Sequence, residues 1–261
     1  MESADGASSA AVRVVAPTFP PPYDSAADAI GRLRSRGFAV LDARATSALV
    51  GVPLADLNAL VSSWNDLPPD GYLKDGGRYR KRRHACFVAD DAHLEPAPHR
   101  AHWQPVEYNA LHGGMRRWFE PIAAEVVATG AWTRLLRGLA AACCQARPVD
   151  RWSIEAHQFR IDTTDGIGRP TPEGAHRDGV DFVAVLLIAR RGVKGGETRV
   201  FEADGPDGRR FTMTEPWTML LLDDARVIHE TTPIQPIDVE TTNGVRDTLV
   251  VTLRARGFQG A

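Results

Sequence analysis

The sequence predicts an α+β protein whose core is a β-sandwich or double-sheet jelly roll with flanking N-terminal helices. Two observations support this fold class. Before Pro148 the apolar residues recur at helical spacing, and after it they fall in short segments rich in Val, Ile, Thr and aromatic residues. Helices first and strands later favour helices packed on the outer face of one sheet. The chain shows no Gly-rich strand-to-helix turn, so a nucleotide-binding fold has no support.

Four helical segments are predicted in the first half. Asp24-Ser25 can cap the first, which runs through Ile30 and Leu33 and stops at Gly37. The other three have apolar residues every three or four positions and cover residues 53–64, 114–129 and 131–143. We interpret the apolar and aromatic stripes of the last two as core rather than as cofactor contacts.

Seven short strands are predicted after Pro148, with turn dipeptides such as Asp165-Gly166 between them. The strands cover residues 152–162, 180–189, 197–201, 210–213, 217–222, 226–229 and 246–254. Short strands joined by turns of this kind are typical of a β-sandwich or jelly roll.

These segments give the expected domain organisation. The Ala, Ser and Pro content of residues 1–22 indicates a flexible N-terminal arm. We expect a single domain over residues 23–261, with a helical part at 23–147 and the jelly-roll core at 148–257.

The composition excludes several classes of function. Of the 261 residues, 43% are hydrophobic and 25% charged, and 31 Lys and Arg against 33 Asp and Glu give a formal net charge of −2. No basic face is therefore expected for a nucleic acid, and no apolar run is long enough for a membrane span. The N-terminus lacks the features of a secretory signal, and Cys86, Cys143 and Cys144 make a poor disulfide framework. We expect a cytoplasmic protein whose partner is a small molecule or another protein.

Three residues in the strand-rich half have the chemistry of a metal site. In His176-Arg177-Asp178, residues i and i+2 of an extended backbone point to the same side. His229 follows about fifty residues later, near the end of a predicted strand. Two imidazoles and one carboxylate are the facial triad typical of non-haem iron(II) oxygenases, which leaves coordination positions open for a co-substrate and dioxygen.

The surrounding motifs carry a resemblance to a known family. Four segments resemble the double-stranded β-helix (jelly-roll/cupin-like) core of iron(II)- and 2-oxoglutarate-dependent dioxygenases: HRDG (176–179), GGETRVF (195–201), LLLDDARVIHETTP (220–233) and RDTLVVTL (246–253). HQFRI (157–161), PTPEGAHRDGVDF (170–182) and YNALHGGMRRWFEP (108–121) are similar to the bacterial branch that includes L-isoleucine 4-hydroxylase. The resemblance covers roughly residues 71–254.

The resemblance implies a role for each matching residue. His176, Asp178 and His229 would ligate iron(II), and Arg246 would bind the far carboxylate of 2-oxoglutarate. Oxidative decarboxylation of 2-oxoglutarate with O2 would then be coupled to hydroxylation of a substrate C–H bond. Arg254 competes with Arg246 but lies at the far end of the same strand, and the strand start favours Arg246.

Several further residues are open to two interpretations. The run from Arg78 to His84 is interpreted first as a solvated face and second as a strand or lid over the pocket. Asp223 and Asp224 are ordinary turn residues or orient His229. Three further candidates for the mouth of the pocket are Tyr108, Asn109 and His112. Four histidines could suggest a second metal, but their irregular spacing argues against it: His84, His93, His99 and His102.

The leading functional hypothesis is hydroxylation of an unactivated C–H bond in a free aliphatic L-amino acid. In that hypothesis a residue between Arg78 and Arg83 binds the substrate carboxylate, Glu155 or Asp181 accepts from the ammonium group, and Trp103 or Phe159 forms an apolar wall. The alternatives are a protein side-chain hydroxylase and a non-catalytic jelly-roll module that binds a metal or ligand. A buried Arg246 at the strand start favours an enzyme, because a structural metal site does not need it.

Overall fold

The structure is a computed structural model that describes residues 19–260, so residues 1–18 of the predicted arm lie outside the described part of the chain. Its strands, in chain order, are β1 (Phe38–Leu41), β2 (Arg80–Ala89), β3 (Leu94–Pro96), β4 (Trp152–Asp162), β5 (Phe182–Arg191), β6 (Val193–Gly195), β7 (Thr198–Glu202), β8 (Gly208–Phe211), β9 (Met219–Asp223), β10 (Val227–Thr231), β11 (Ile234–Pro236) and β12 (Val245–Arg254). Its α-helices are α1 (Ala29–Arg36), α2 (Ala43–Val50), α3 (Leu54–Ala59), α4 (Ala124–Val127) and α5 (Gly130–Ala146), with a 3-10 helix at Val61–Trp64.

An antiparallel sheet of seven strands in the order β1-β9-β5-β12-β4-β2-β3 forms the main layer. A smaller layer consists of the three-stranded sheet β10-β7-β8 and the two-stranded sheet β11-β6. This arrangement is consistent with the predicted jelly-roll core, and all seven predicted strands are present within a few residues of their expected bounds.

The outer face of the main sheet packs against the helices. Alternate residues of β12, Leu249, Val251 and Leu253, are buried in one apolar cluster with Trp132 and Leu135 of α5. The alternation of side chains along a strand explains why this face is apolar while the intervening residues of β12 face the other way. The predicted placement of the helices on one outer face is confirmed.

The inner face divides into an apolar part and a polar part. Between β5 and the small sheet, Val183 and Leu187 pack with Val200, Phe211 and Val227 in a second buried cluster. Toward β12, β4 and β2 the same face instead lines a pocket with polar side chains. The apolar part closes one end of the jelly roll, and the polar part leaves the other end available to a ligand.

The first half contains more strand than predicted. β1, β2 and β3 lie in the segment expected to be helical, and β2 is ten residues long and pairs with β4 along its whole length. The predicted helix at 114–129 is wrong except for the short helix α4. Its first part is irregular because the backbone of Arg117 bridges to His102 and that of Pro121 to His84. The helices predicted at 53–64 and 131–143 are confirmed, and the first helix ends at Gly37 as predicted, in the left-handed conformation (φ 81°).

Among the described residues, no single helix is long and apolar enough to cross a membrane. One pair, α2 with the helical turns from Leu54 to Trp64, passes that test only when both are taken together, and the two are bent by 99°.

Candidate active site

His176, Asp178 and His229 come together at the mouth of the pocket. His229 lies at the centre of β10, and its backbone exchanges two hydrogen bonds with that of His176, at 3.0 and 2.9 Å between N and O. Asp178 follows two residues later, so that its Oδ1 lies 4.0 Å from His176 Nε2 and its Oδ2 lies 3.7 Å from His229 Nε2. One ligand atom from each residue lies within 4.8 Å of the others, which suits a single metal ion.

Hydrogen bonds fix the orientation of this donor set. The imidazole of His176 donates from Nδ1 to the carbonyl of Gly174 at 2.9 Å, which leaves Nε2 as the lone-pair nitrogen facing Asp178. The Gln104 side chain donates to Asp178 Oδ1 at 3.0 Å and accepts in turn from Arg117 at 2.8 Å. Such partners hold metal ligands in one rotamer before the ion arrives.

Asp224 holds the loop that carries Asp178. Its carboxylate accepts from the backbone N–H groups of Asp178, Gly179 and Val180 at 2.9, 2.7 and 3.1 Å. Gly179 has a positive φ of 76°, and a Cβ there would lie 2.4 Å from the ring of Tyr108. The loop conformation therefore depends on a glycine as well as on Asp224. The favoured interpretation of Asp224 as an ordinary turn residue and the alternative that it orients His229 are both corrected to a role on the Asp178 loop.

Burial shifts the pKa values of the three donors. Burial raises the pKa of Asp178, although His176 lowers it, and burial together with His176 brings the pKa of His229 well below its usual range. Burial also lowers the pKa of His176, but the carboxylates of Asp178 and Glu173 outweigh it and raise that pKa above its ordinary value. A cation placed among these donors would favour the ionised carboxylate and the neutral imidazoles that coordination requires.

Arg246 lies in the same pocket, near the start of β12. In the sheet it stands between Ile161 of β4 and Arg190 of β5, and its side chain is 3% exposed. Its Nε and Nη2 have no hydrogen-bond partner among the described residues. Burial and the neighbouring Arg190 lower its pKa to about 10, so the guanidinium remains charged at neutral pH. A buried cation with free donors suits a carboxylate ligand.

Arg254 is placed differently. It ends β12, and its Nη1 donates to the carbonyls of Arg256 and Gly257 at 3.3 and 2.9 Å. Arg246 lines the pocket and Arg254 does not. That Arg246 rather than Arg254 binds the co-substrate stays a prediction.

Alternate residues of β2 form a basic wall of the pocket. Arg80 and Arg82 line it together with Arg117, while Lys81 and Arg83 point to the opposite side and are more exposed. The interpretation of residues 78–84 as a solvated face is therefore wrong for these alternate positions. The second interpretation, a strand over the pocket, is the observed one.

A hydrogen-bonded cluster around Glu155, which we call the carboxylate hub, adjoins this wall, and two of its members, His102 and His157, also line the pocket. One oxygen of Glu155, Oε2, lies 2.9 Å from His84 Nε2, 2.7 Å from His102 Nδ1 and 3.8 Å from His157 Nε2. Burial alone would raise the pKa of Glu155, but the two closer imidazoles bring it below its usual range. By donor type these four residues could also hold a metal ion. However, Arg82 donates to His157 Nδ1 at 2.7 Å, which places the proton of a neutral His157 on Nε2 and favours a hydrogen-bonded hub.

The sequence did not predict this hub, because its histidines are irregularly spaced along the chain. His84 and His102 belong to it, whereas His93 and His99 do not. The sequence signal that could have revealed it is the alternation of Glu155 and His157 on one face of β4, opposite His84 on β2.

The other predicted substrate contacts have mixed outcomes. Phe159 and Asn109 line the pocket, but Asp181 pairs with Arg147 and accepts from the backbone of Ala255 instead. Trp103 is not among the described residues that line the pocket. Glu173, which sequence reasoning missed, does line it.

The fold and this donor set define the class of the protein as a non-haem iron oxygenase. The family model of the 2OG-Fe dioxygenases matches residues 61–252, and the chain belongs to this family. It is therefore a 2-oxoglutarate-dependent dioxygenase that uses iron(II), 2-oxoglutarate and O2. A search of curated proteins found no match.

Solved structures agree with the fold. A bsmA homolog from Methylobium petroleophilum PM1 is 54% identical, with a TM-score of 0.87 over 92% of this chain and 97% of that chain. IDO from Bacillus thuringiensis is 18% identical, with a TM-score of 0.71 over 89% of this chain and 100% of that chain. The Fe(II)/(alpha)ketoglutarate-dependent dioxygenase TqaL is 21% identical, with a TM-score of 0.68 over 90% and 88%. The last two matches bear on the fold alone.

Proposed function

We propose that this enzyme hydroxylates an unactivated C–H bond of a free aliphatic L-amino acid, with iron(II) held by His176, Asp178 and His229 and 2-oxoglutarate anchored by Arg246. The observation that carries the proposal is a single pocket that contains the triad and the buried guanidinium of Arg246, whose Nε and Nη2 have no partner within residues 19–260. The donor set, two neutral imidazoles and a carboxylate, fits iron(II), and the free donors of Arg246 fit a carboxylate. Bound iron supplies the coupling between decarboxylation of 2-oxoglutarate and oxidation of the substrate.

The protein's own residues orient the metal ligands and form the walls of the pocket. Gln104 and Asp224 hold Asp178 in place, and Gly174 fixes the His176 ring. The irregular segment of residues 102–117 forms one wall of the pocket and contributes His102, Gln104, Asn109 and Arg117. A pocket walled in this way supports a small substrate.

The remaining lining supports an amino acid with an aliphatic side chain. Phe159, Val185 and Val250 provide apolar surface, and Arg82 provides positive charge for a carboxylate. An apolar wall discriminates weakly, because one methylene is worth only about 1–3 kcal/mol. Leucine and isoleucine should therefore both be accepted, with graded efficiency. The resemblance of residues 157–161 and 170–182 to the isoleucine-hydroxylating branch supports the same choice.

A protein side-chain hydroxylase is the second candidate. We also propose that residues 23–261 act as one domain and that the enzyme works in the cytoplasm, both on the sequence grounds given above.

The test is turnover with a panel of substrates. The protein is loaded with iron(II) and 2-oxoglutarate without oxygen, exposed to air with each standard amino acid, and followed by succinate release and by mass spectrometry for a gain of one oxygen. Free leucine or isoleucine should be hydroxylated, while N-acylated and peptide-bound forms should not. Turnover of the blocked forms alone would instead favour the protein hydroxylase.

The metal assignment is tested in the same assay. Asp178→Ala removes the anionic ligand and should abolish both iron binding, measured by metal analysis after desalting, and succinate release. Asp207→Ala, an exposed carboxylate on a turn, is the matched control and should behave like wild type. Normal activity in Asp178→Ala would show that the triad is assigned wrongly.

A further inference from the structure

Three guanidinium groups meet in the pocket, and one carboxylate among the described residues, Asp70, is in direct contact with them. Arg80, Arg82 and Arg117 are 5%, 3% and 2% exposed, and all three line the pocket. Asp70 is their direct carboxylate partner, at 2.7 Å from Arg80 Nε and 3.8 Å from Arg82 Nη1. Arg117 donates to the neutral amide of Gln104 instead. Glu155 and Glu173 act on Arg117 only at longer range. Buried charges are costly unless they are paired, so this group can accept a further anion in direct contact.

Each of these groups also has a donor to spare. Arg80 Nη2, Arg82 Nε and Arg117 Nε are buried and have no hydrogen-bond partner among the described residues. The side chain of Arg82 is held rigidly, because its guanidinium lies 3.7 Å from the ring centroid of Phe119 and 4.3 Å from that of Phe159. A guanidinium held between two aromatic rings loses little conformational entropy when it binds a carboxylate.

This basic group is separate from Arg246. In the sheet, Arg80 and Arg246 both pair with Ile161, from opposite sides, so two strand spacings of about 4.8 Å each separate their backbones. Arg82 lies in the next row of the sheet, opposite Phe159. The pocket therefore offers two anion positions, one for the co-substrate at Arg246 and one beside Arg80, Arg82 and Arg117.

A lone acceptor lies near the metal site. Glu173 lines the pocket, its side chain is 12% exposed, and its Oε1 lies 3.6 Å from His176 Nε2. Its other oxygen, Oε2, is buried with no partner among the described residues. A buried carboxylate oxygen of this kind suits a charged N–H donor. By contrast, Glu155 is already engaged by His84 and His102.

We propose that Arg80, Arg82 and Arg117 bind the α-carboxylate of the substrate and that Glu173 accepts from its α-ammonium group. The two positions together select a zwitterionic α-amino acid over a simple carboxylic acid or amine. This inference rests on the proposed function and adds the residues that recognise the substrate backbone.

The test measures substrate affinity in two variants with matched controls. L-Isoleucine is titrated by calorimetry into oxygen-free protein loaded with iron(II) and 2-oxoglutarate. Glu173→Gln and Arg82→Met should each raise its dissociation constant at least about 30-fold, as expected for loss of one partner of a buried charge pair. Glu125→Gln on the exposed side of α4 and Arg83→Met, the strand neighbour that faces the other way, should change it less than about threefold.

A second measurement separates recognition from structural damage. Iron(II) and 2-oxoglutarate affinities of Glu173→Gln should stay within about threefold of wild type. Its preference for L-isoleucine over 3-methylpentanoic acid, which lacks the amine, measured as competing inhibition constants, should fall at least about tenfold. Equal weakening of both compounds, or loss of iron along with isoleucine, would overturn the assignment of Glu173.

The two proposals fail differently. If wild type hydroxylates no free amino acid, the proposed function fails. If it hydroxylates isoleucine while Glu173→Gln and Arg82→Met bind isoleucine as wild type does, only the recognition residues are wrong.

Discussion

At the scale of single residues, Arg246 shows how a buried charge indicates a ligand. It is buried next to a second cation, Arg190, and two of its donors have no partner among residues 19–260. Desolvating a guanidinium costs several kcal/mol, and the carboxylate of Asp247 acts on Arg246 only at a distance, since neither of these donors is bonded to it. Binding of a dicarboxylate co-substrate would offset that cost.

Arg246→Ala should therefore raise the 2-oxoglutarate concentration needed for half-maximal succinate release by one to three orders of magnitude, since truncating one partner of a buried charge pair costs about 2–5 kcal/mol. Iron binding, which depends on other residues, should survive. Arg254→Ala is the control, because that side chain contacts only C-terminal carbonyls among the described residues. A larger effect in Arg254→Ala than in Arg246→Ala would reverse the assignment.

The sequence predicted some residues of the site and missed others for a physical reason. His176 and Asp178 were predictable because i and i+2 share a side of an extended chain, even though only His176 makes a strand-like bridge. Gln104 and Glu173 were not, because their importance lies in an unpaired atom or in a partner 74 positions away. Local patterns carry no information about such pairs.

At the scale of elements, β2 explains why the first half was the harder part to predict. The residues of this strand are mostly basic, so the sequence alone indicates a charged surface. Arg80, Arg82 and His84 in fact alternate with Lys81 and Arg83 on the two faces of the strand. In the sheet, one set faces a polar pocket, where aromatic rings and Asp70 accommodate it. Charged residues are usually exposed, but in a strand that lines a binding pocket they can be buried.

The helix expected at 114–129 failed for a related reason. Apolar residues recur there at helical spacing, but the backbone of this segment bridges to His102 and His84, and Trp118 is 54% exposed. Tertiary pairing outweighed a weak local preference. Where the apolar stripe faced the main core, as in α5, the prediction was correct.

The pairing of β2 with β4 predicts acid sensitivity. Burial lowers the pKa values of His84 and His157 and brings that of His102 to about 4, so folded chains keep neutral imidazoles where unfolded chains take up protons. The hub's contribution to the free energy of unfolding should therefore fall as the pH drops from about 6.5 toward 4. Groups of the metal site whose pKa values are raised contribute in the opposite direction. Glu155, whose folded pKa is depressed, adds to the loss as the pH falls below the ordinary range of a glutamate.

Urea unfolding of the metal-free protein at a series of pH values between 8 and 4.5 measures this effect. His93→Gln is the control, since His93 is exposed and outside the hub, and its curve should run parallel to that of wild type. His102→Gln removes one of the hub's imidazoles and should make the free energy of unfolding less dependent on pH than in wild type. Equal pH dependence of the two proteins from pH 7.5 to pH 5 would contradict the hub as described.

At the scale of the whole molecule, the jelly roll keeps stability and chemistry on different faces of one sheet. The outer face of β12 packs on α5, and its inner face offers Thr248, Val250 and Thr252 to the pocket. Because a strand alternates its side chains, a polar pocket can be built without removing apolar residues from the helical core. The pocket gathers several buried charges, so its ligands should contribute to the stability of the fold.

Ligand binding should consequently raise the melting temperature in two separable steps. A ligand at 100 times its dissociation constant stabilises the folded state by about 2.7 kcal/mol, provided the unfolded chain does not bind it. For a domain of this size that corresponds to a rise of roughly 5–10 °C.

Iron(II) added without oxygen should produce the first rise in wild type, and 2-oxoglutarate added afterwards should produce a second. Asp178→Ala should lose the first rise, whereas Arg246→Ala should keep the first and lose the second. Scanning calorimetry of the three proteins, each alone, with iron(II) and with both ligands, measures these steps. Retention of the 2-oxoglutarate step in Arg246→Ala would show that another residue anchors the co-substrate.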